Sequence, residues 1–502
     1  MEALEETLRS CGQEHLLEVP AVFAQLSKFD IAESVRRFKF ATGPDQKQAQ
    51  DEASLSPIEN ALVFHELREE RQTAIAAIGW KALAEGKVAA VIMSGGQGTR
   101  LGFAGPKGCY NISLPSNKSI FQLHMERISK VRQLSGAASI PVYIMTSDLN
   151  DGIIRNFFAQ HCFFGYPEAD VFFFEQGLEP CFSLDGKVII ESRGSLSLAP
   201  DGNGGIYPAL RASGALKDME RRGVEHLHVY GIDNVLTKSL DPNFLGAAIE
   251  AGAQVANKVV WRADKAEKVG VTARRVSRVC VVEYSELPAH LADAADETSG
   301  KLLFGAANIC NHYLSLSFLQ TEVLPALAGA AGLKPIYHVA KKKIPSLDAA
   351  TGTTVTPTAV NGIKLELFIF DVFPLAERWL VFETRREDEF APVKNEPGNA
   401  VDSPDTARKL VSAQAARWLE KVGAAVYTPP AAAATDDAAS AAPVVFGDID
   451  PAAFASGLAA EAGAAADNGR EPLLEISPLL SYCGEGLERF AGAVVRPPVY
   501  LE

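Results

Sequence analysis

An apolar run that stops abruptly at glycines constrains this chain more than any other feature of its sequence. Val88–Met93 is uninterrupted apolar sequence, and Ser94-Gly95-Gly96-Gln97-Gly98-Thr99-Arg100-Leu101-Gly102 follows it. This pattern is typical of a buried β-strand that ends in a loop of small residues, whose backbone N–H groups can approach an anion closely. Arg100 and Lys107 place positive charge beside those amides. We therefore predict a polyphosphate-binding loop.

The spacing of this loop excludes two common phosphate-binding motifs. A Walker loop requires a lysine that follows glycine and precedes a hydroxyl residue, whereas Lys107 follows Pro106 and precedes Gly108. The dinucleotide fingerprint requires G-x-G-x-x-G, but after Gly96 and Gly98 the third glycine, Gly102, comes one position late. A glycine-rich turn without a ligand is the remaining alternative, and the flanking arginine and lysine make it less favoured.

The order of apolar segments predicts an α/β protein with three parts. Residues 1–86 show helical spacing and predict an N-terminal helical domain packed as a layer on the rest. Over residues 87–402, strands alternate with helices, which is typical of a doubly wound, mostly parallel, Rossmann-like sheet with ligands at the carboxyl ends of its strands. Residues 403–502 predict a small C-terminal domain, in which the alanine-rich stretch 424–468 is a flexible surface insertion.

Composition and charge exclude several classes of protein. The chain has 502 residues, 47% of them hydrophobic, and a formal net charge of −14, which argues against nucleic-acid binding. No apolar run is long enough to cross a membrane, and the first residues do not resemble a signal peptide. Seven cysteines without a C-x-x-C pair favour a reducing compartment. We expect a cytoplasmic protein.

Two later stretches are candidates for the same ligand site. The glycine-rich stretch 199–207 is either a long surface turn or a place where backbone approaches a planar base. A predicted strand that starts at His226 ends near Asp233, where a carboxylate is well placed to hold Mg²⁺. Because aspartate also favours turns and helix caps, that alternative stays open.

Five further segments lead to structural expectations. Residues 254–262, 269–275 and 278–284 predict a β-rich insertion, and a strand over 302–309 leads into Cys310 and His312, which lack partners with metal-ligand spacing and are interpreted as structural. Asn361-Gly362-Ile363-Lys364 is predicted to open a helix. In that helix Lys364 and Asp371 lie on the same side, about two turns apart.

Taken together, the chain closely resembles the eukaryotic UDP-N-acetylglucosamine pyrophosphorylases, also called UDP-N-acetylhexosamine pyrophosphorylases. The resemblance covers most of the chain and rests on five motifs in one order: residues 95–102, 199–205, 282–286, 361–364 and 386–390. It implies a nucleotidyltransferase that converts UTP and N-acetylglucosamine 1-phosphate to UDP-N-acetylglucosamine and pyrophosphate. A UDP-glucose or broad-specificity UDP-sugar pyrophosphorylase is the close alternative, and a catalytically silent nucleotide-binding regulator is an alternative of another class.

The resemblance also implies roles for individual residues in this sequence. The implied nucleotide-binding residues are Met93, Ser94, Gly95, Gly96, Gln176 and Gly202, and the implied sugar-binding residues are Asn203, Glu283, Tyr284 and Asn308. The implied catalytic cations are Arg100, Lys107, Lys364 and Lys394, and Asp233 is implied to bind Mg²⁺. Because the attacking phosphate oxygen is already anionic, the reaction needs positioning and charge neutralisation rather than a general base. We expect a monomer or homodimer.

Overall fold

A large, mostly parallel β-sheet forms the centre of the structure. The computed structural model describes residues 2–44, 55–329, 336–348, 350–427, 444–446 and 473–502. Eight strands form the continuous path across this sheet, and in chain order they are β1 (Leu62–Val63), β2 (Val88–Met93), β3 (Val142–Thr146), β4 (Val171–Glu175), β5 (His226–Gly231), β6 (Val255–Trp261), β7 (Ala306–Ser315) and β8 (Trp379–Glu383).

One strand in this path runs against the others. The spatial order is β1-β8-β6-β7-β5-β2-β3-β4, and β7 is antiparallel to both of its neighbours while every other pair is parallel. The carboxyl ends of the parallel strands therefore meet the amino end of β7 at one edge of the sheet. The predicted α/β class with a mostly parallel sheet is confirmed.

Both faces of the sheet are covered, which explains why β2 is apolar throughout. Val88, Ala90 and Ile92 pack into one hydrophobic cluster with helices Glu69–Ala84, Ile120–Ser135 and Pro242–Glu250. Ala89, Val91 and Met93 pack into a second cluster on the other face, which includes helices Ile206–Ala212 and Ala215–Arg221. A strand buried on both faces has no polar alternation.

The remaining elements follow in chain order. The other α-helices are Glu2–Ser10, Phe23–Leu26, Ile31–Thr42, Asp151–Gln160, Ala289–Ala292, Leu316–Phe318, Leu324–Leu327, Arg386–Glu389 and Pro404–Lys421. The other strands are Leu55–Ser56, Leu178–Pro180, Phe182–Ser183, Ile190–Ser192, Ser195–Leu196, Leu198–Pro200, Val271–Arg275, Arg278–Val282, His338–Lys342, Ser346–Leu347, Thr354–Val355, Gly362–Glu366, Ala425–Val426, Val444–Phe446, Leu474–Ile476, Val494–Val495 and Val499–Leu501. None of the helices that the structure describes has the length and apolar character of a membrane-crossing segment.

Helix boundaries follow ordinary capping chemistry. Helix Ile120–Ser135 begins after Ser119, whose side chain accepts a hydrogen bond from the backbone N–H of Gln122. It ends at Gly136, whose φ of 69° is the left-handed conformation that glycine adopts without cost. The helix therefore leads from the glycine loop across one face of the sheet and returns the chain to β3.

The two ends of the chain pack on the central part through separate clusters. Leu16, Val22 and Ile31 of the N-terminal segment share a cluster with Phe182 and Ile363. At the other end, both carboxylate oxygens of Glu475 accept hydrogen bonds from Ser116.

The domain boundaries at 86 and 402 stay predictions, and strand β1 shows that part of segment 1–86 pairs with the central sheet. Of the predicted insertion 424–468, only 424–427 and 444–446 lie within the described residues.

The predicted helix at Asn361 is wrong. Gly362–Glu366, which includes Lys364, is a β-strand that pairs with His338–Lys342 on one side and Phe182–Ser183 on the other. Asp371 lies beyond it in the 3₁₀ helix Ile369–Leu375, so the two residues do not share a helix face. The physical reason is non-local, because Asn361 ties the strand to the backbone N–H and carbonyl of Ile344.

The predicted β-rich insertion is also corrected. Its first segment is β6, which lies inside the central sheet between β8 and β7. The other two segments form the hairpin Val271–Arg275 and Arg278–Val282, which joins the sheet through the pairing of Val271 with Ala307. Strand β7 is longer than the predicted strand over 302–309, because it continues through Cys310 and His312 to Ser315.

Candidate active site

The glycine loop after β2 turns its carbonyl groups towards the protein. The side-chain amide of Asn150 donates to the Gly95 carbonyl at 2.9 Å, and the backbone N–H of Lys107 donates to the Gly96 carbonyl at 3.2 Å. The Ser94 hydroxyl donates to the Met145 carbonyl of β3 at 2.8 Å, so its proton is already engaged in a hydrogen bond to the sheet. Within the described chain, the N–H groups of Gly95 and Gly96 have no acceptor. These two amides are free for an anion.

Close packing distinguishes the two glycines at the start of the loop. A Cβ atom on Gly95 would lie 2.7 Å from Oε1 of Gln176, which follows β4 at the same edge of the sheet. A Cβ atom on Gly96 would meet nothing within 4 Å. The structure therefore brings Gln176 against the loop, as expected for two residues of one site, and leaves open space in front of Gly96.

The second glycine-rich stretch contacts another backbone segment closely. Gly202 has φ of +88°, and a Cβ atom there would lie 2.4 Å from the Leu367 carbonyl oxygen. The N–H of Leu367 donates to the Asp201 carbonyl at 2.8 Å, and the N–H of Ile369 donates to Oδ1 of Asn203 at 3.0 Å. These contacts account for the glycines without a ligand. The proposed contact of Gly202 with uracil stays a prediction, and the surface-turn alternative does not describe this packed segment.

Asp233 lies beyond the carboxyl end of β5 and faces the first loop. Its Oδ2 is 3.7 Å from Nζ of Lys107, and the two side chains are 26% and 19% exposed. Its neighbour Asn234 donates to the Glu389 carbonyl at 2.7 Å and accepts from the Ala391 N–H at 2.8 Å. The structure thus brings together two predicted site residues that are far apart in the sequence, and it holds the segment before Lys394 beside them.

Lys394 extends this group of charges towards the predicted sugar-binding residues. Its Nζ is 3.6 Å from Oδ2 of Asp402. Burial raises the pKa values of Glu283 and Cys310, and the positive charge of Lys394 reduces both rises. The N–H of Asn308 donates to the Gly270 carbonyl at 2.8 Å, and a Cβ atom on Gly270 would lie 3.1 Å from Oε1 of Glu283. Gly270 therefore contacts both Asn308 and Glu283, and the charge of Lys394 acts on Glu283.

The sequence did not identify Cys310 as a residue of this site. Its φ of 54° is unusual for a residue within a strand, and its Sγ would lie 3.7 Å from a Cβ atom on Gly231 at the end of β5. Burial and the nearby Asp233 charge raise the pKa of Cys310 to about 12, so the thiol is neutral at physiological pH. Its position two residues after Asn308 was the only available sequence indication.

Among the described residues, the predicted residues Arg100, Tyr284 and Lys364 form no hydrogen bond or ion pair with this group, and Gly202 and Asn203 contact the segment after strand Gly362–Glu366 instead. Arg100 is an exposed residue of the turn Thr99–Leu101, in which Leu101 is buried, and the Tyr284 side chain is half exposed. Lys364 lies on the strand Gly362–Glu366, where its charge acts on the Cys181 thiol. Within the described ranges, Arg100 and Lys364 form no ion pair, so both charges are available to an anionic ligand.

The residues present fit a Mg²⁺ ion that is held largely by its ligand. No cluster of three or more His, Cys, Asp or Glu side chains in the described part of the chain is arranged to hold a metal. Mg²⁺ commonly binds through one or two carboxylates together with substrate phosphates and water. Asp233, with one carboxylate that is partly exposed beside a phosphate-binding loop, meets that requirement.

Comparisons with known proteins show the family to which the chain belongs. The sequence profile of the family described as UTP–glucose-1-phosphate uridylyltransferase matches residues 33–402. The chain is 38% identical to UDP-N-acetylhexosamine pyrophosphorylase-like protein 1 of Homo sapiens, over 99% of this chain and 96% of the relative. It is 41% identical to UDP-N-acetylglucosamine diphosphorylase 2 of Arabidopsis thaliana, over 82% and 74% of the two chains. The solved structure of a UDP-N-acetylglucosamine pyrophosphorylase from Trypanosoma brucei, in complex with an inhibitor, superposes with a TM-score of 0.77 and 27% identity, covering 99% of this chain and 98% of that one.

Proposed function

Because the chain belongs to the UTP–glucose-1-phosphate uridylyltransferase family, we propose that it transfers the uridylyl group of UTP to N-acetylglucosamine 1-phosphate and releases pyrophosphate. The observation that carries this proposal is the meeting of Lys107 and Asp233 beside the free amides of Gly95 and Gly96. The names of the compared relatives, which match nearly the whole chain, support the amino sugar as substrate.

The reaction is a displacement at phosphorus. An anionic oxygen of the sugar phosphate attacks the α-phosphorus of UTP and forms the new P–O bond. The bond from the α-phosphorus to the oxygen that bridges to the β-phosphorus breaks, and pyrophosphate leaves with that electron pair. No proton must be removed from the nucleophile, which agrees with a site that is dominated by lysines and amides.

The residues of the chain act by positioning two anions and neutralising their charge. The Gly95 and Gly96 amides bind the UTP phosphates, and Lys107 exchanges its distant contact with Asp233 for a phosphate oxygen. Lys394 faces the sugar phosphate from the segment that Asn234 holds in place. Arg100 and Lys364, which have no ion-pair partner among the described residues, add charge from outside this group.

Asp233 is the residue that would hold Mg²⁺. When bound, the ion would supply positive charge to the phosphate oxygens and to the departing pyrophosphate.

All seven cysteines are free thiols, which supports a protein that works in the cytoplasm.

Alanine at Gly96 is expected to weaken UTP binding without destabilising the fold, whereas alanine at Gly202 is expected to destabilise the fold. At Gly96 the added methyl has open space, so the free energy of unfolding changes by less than about 0.5 kcal/mol. The methyl stands where the phosphates approach, so the KM for UTP rises about tenfold. At Gly202 the positive φ and the Leu367 carbonyl predict destabilisation of about 2 kcal/mol or more. Urea unfolding and UTP titration of both variants test the pair, and a strongly destabilised Gly96→Ala variant would contradict it.

A panel of sugar phosphates tests the proposed function against its closest alternative. Pyrophosphate release from UTP and Mg²⁺ is measured with the 1-phosphates of N-acetylglucosamine, N-acetylgalactosamine and glucose. We expect the highest kcat/KM with N-acetylglucosamine 1-phosphate. A preference for glucose 1-phosphate would favour a UDP-glucose or broad UDP-sugar pyrophosphorylase, which the family description also allows. Absence of pyrophosphate release with every sugar would favour a silent nucleotide-binding regulator.

A further inference from the structure

His338 is held between two carboxylates at the border of the proposed sugar site. Its Nδ1 is 3.0 Å from Oε1 of Glu286, and its Nε2 is 3.0 Å from Oδ1 of Asp371. The side chain is only 11% exposed. Ionised carboxylates can only accept hydrogen bonds, so both ring nitrogens must donate, and the ring must carry two protons and a positive charge.

Two hydrogen bonds to Asp371 favour its ionised form, and with it the charged ring, against the effect of burial. Burial raises the pKa of the Asp371 carboxyl overall, and hydrogen bonds from His338 and from the backbone N–H of Phe368, at 2.6 Å, reduce that rise. Burial alone lowers the pKa of His338, but hydrogen bonds to Asp371 and Glu286 outweigh burial and raise it to about 10. The imidazole ring also stacks on Phe368, with centroids 4.0 Å apart.

Each of the two carboxylates belongs to a segment that carries or contacts a predicted sugar-binding residue. Glu286 follows Glu283 and Tyr284 in the loop after strand Arg278–Val282. Asp371 belongs to the segment whose N–H at Ile369 donates to Asn203. Glu283 also faces the ring, and the His338 charge counteracts the rise in the pKa of Glu283 that burial causes. His338 thus stands between the elements that present Glu283 and Asn203.

We propose that His338 is a positioning residue for the sugar-phosphate half of the site, where its imidazolium joins the Glu283–Glu286 loop to the Phe368–Asp371 segment. This inference rests on the proposed function for its kinetic consequences. His338 does not touch the reacting atoms in this account. It sets the separation between residues that bind the sugar, and among the described residues it has no hydrogen bond, ion pair or ring contact with the glycine loop of residues 94–102.

The kinetic test compares three variants. His338→Gln removes the charge, Glu286→Gln weakens the more exposed end of the bridge, and Lys341→Gln removes a charge from an exposed position of the same strand as a control. We expect the first two to raise the KM for N-acetylglucosamine 1-phosphate about tenfold, with the KM for UTP and kcat changed less than about threefold. Lys341→Gln should behave as wild type. Equal losses for both substrates, or an unchanged KM for the sugar phosphate in both variants, would overturn the inference.

A spectroscopic test does not depend on activity. In ¹⁵N-histidine-labelled protein, both ring nitrogens of His338 should be protonated at pH 8 and lose a proton only near pH 10, because the charged partners Glu286, Asp371 and Glu283 face the ring. The Glu286→Gln variant should titrate at lower pH. A neutral His338 ring at pH 8 would refute the bridge. Wild-type protein without activity on any sugar phosphate but with a charged His338 would refute the proposed function and leave the bridge itself intact.

Discussion

Replacing Asp233 by asparagine is expected to lower kcat for pyrophosphate release by a factor on the order of 10² to 10³, the usual effect of losing one preorganised electrostatic contact. The substitution keeps the shape of the side chain and removes its charge. The backbone contact from the Val393 N–H to the Asp233 carbonyl, at 2.9 Å, does not depend on that charge. We therefore expect a folded protein whose free energy of unfolding changes by less than about 1 kcal/mol.

The matched control is another aspartate that faces a lysine at similar distance. Oδ2 of Asp293 is 3.5 Å from Nζ of Lys265, but both side chains are largely exposed, and neither residue is among the predicted site residues. Asp293→Asn should leave kcat and stability unchanged. An Asp233→Asn variant that retains more than half of the wild-type kcat in saturating Mg²⁺ would exclude Asp233 as the metal ligand.

Replacing Lys258 by methionine is expected to destabilise the protein by about 3–5 kcal/mol, the typical cost of breaking a buried ion pair. Lys258 is fully buried in β6, and its Nζ lies 2.6 Å from Oδ2 of Asp241 and 2.6 Å from Oε2 of Glu389. Without it, two buried carboxylates lose their main partner, and Lys238, 3.6 Å from Glu389, is the one other cation paired with either of them among the described residues. Urea unfolding, analysed by its midpoint and slope, measures the effect.

The control for Lys258 is the exposed pair of Arg71 and Glu250. Arg71 is 48% exposed, and its substitution by alanine should cost less than about 1 kcal/mol. The buried ion-pair group is also connected to the proposed metal ligand. The Glu389 carbonyl accepts a hydrogen bond from Asn234, which is next to Asp233 in the sequence. A loss below about 1 kcal/mol in Lys258→Met would show that the buried network contributes little to stability.

The central strands were predictable because their burial leaves a local mark on the sequence. Strand β2 is buried along its whole length, so its apolar run and the glycines after it identify both strand and loop. Strand Gly362–Glu366 was mistaken for a helix, because a short apolar segment fits either period when its partners are unknown. Those partners, His338–Lys342 and Phe182–Ser183, lie elsewhere in the chain.

The candidate site shows the same division between local pattern and distant contact. Lys107 and Asp233 could be placed together from sequence, since both follow parallel strands whose carboxyl ends share an edge of the sheet. His338 could not, because its partners Glu286 and Asp371 are 52 and 33 positions away. The proposed positioning role of His338 depends on two ion pairs, and no rule based on spacing in the sequence predicts them.

Product analysis of a single reaction tests the central claim most directly. The protein is incubated with UTP, N-acetylglucosamine 1-phosphate and Mg²⁺, and UDP-N-acetylglucosamine and pyrophosphate are quantified by chromatography and mass spectrometry. We expect the two products in equal amounts, with their formation strongly reduced in Asp233→Asn and unchanged in Asp293→Asn. UTP left intact by the wild-type protein, or pyrophosphate released without any UDP-sugar, would contradict it.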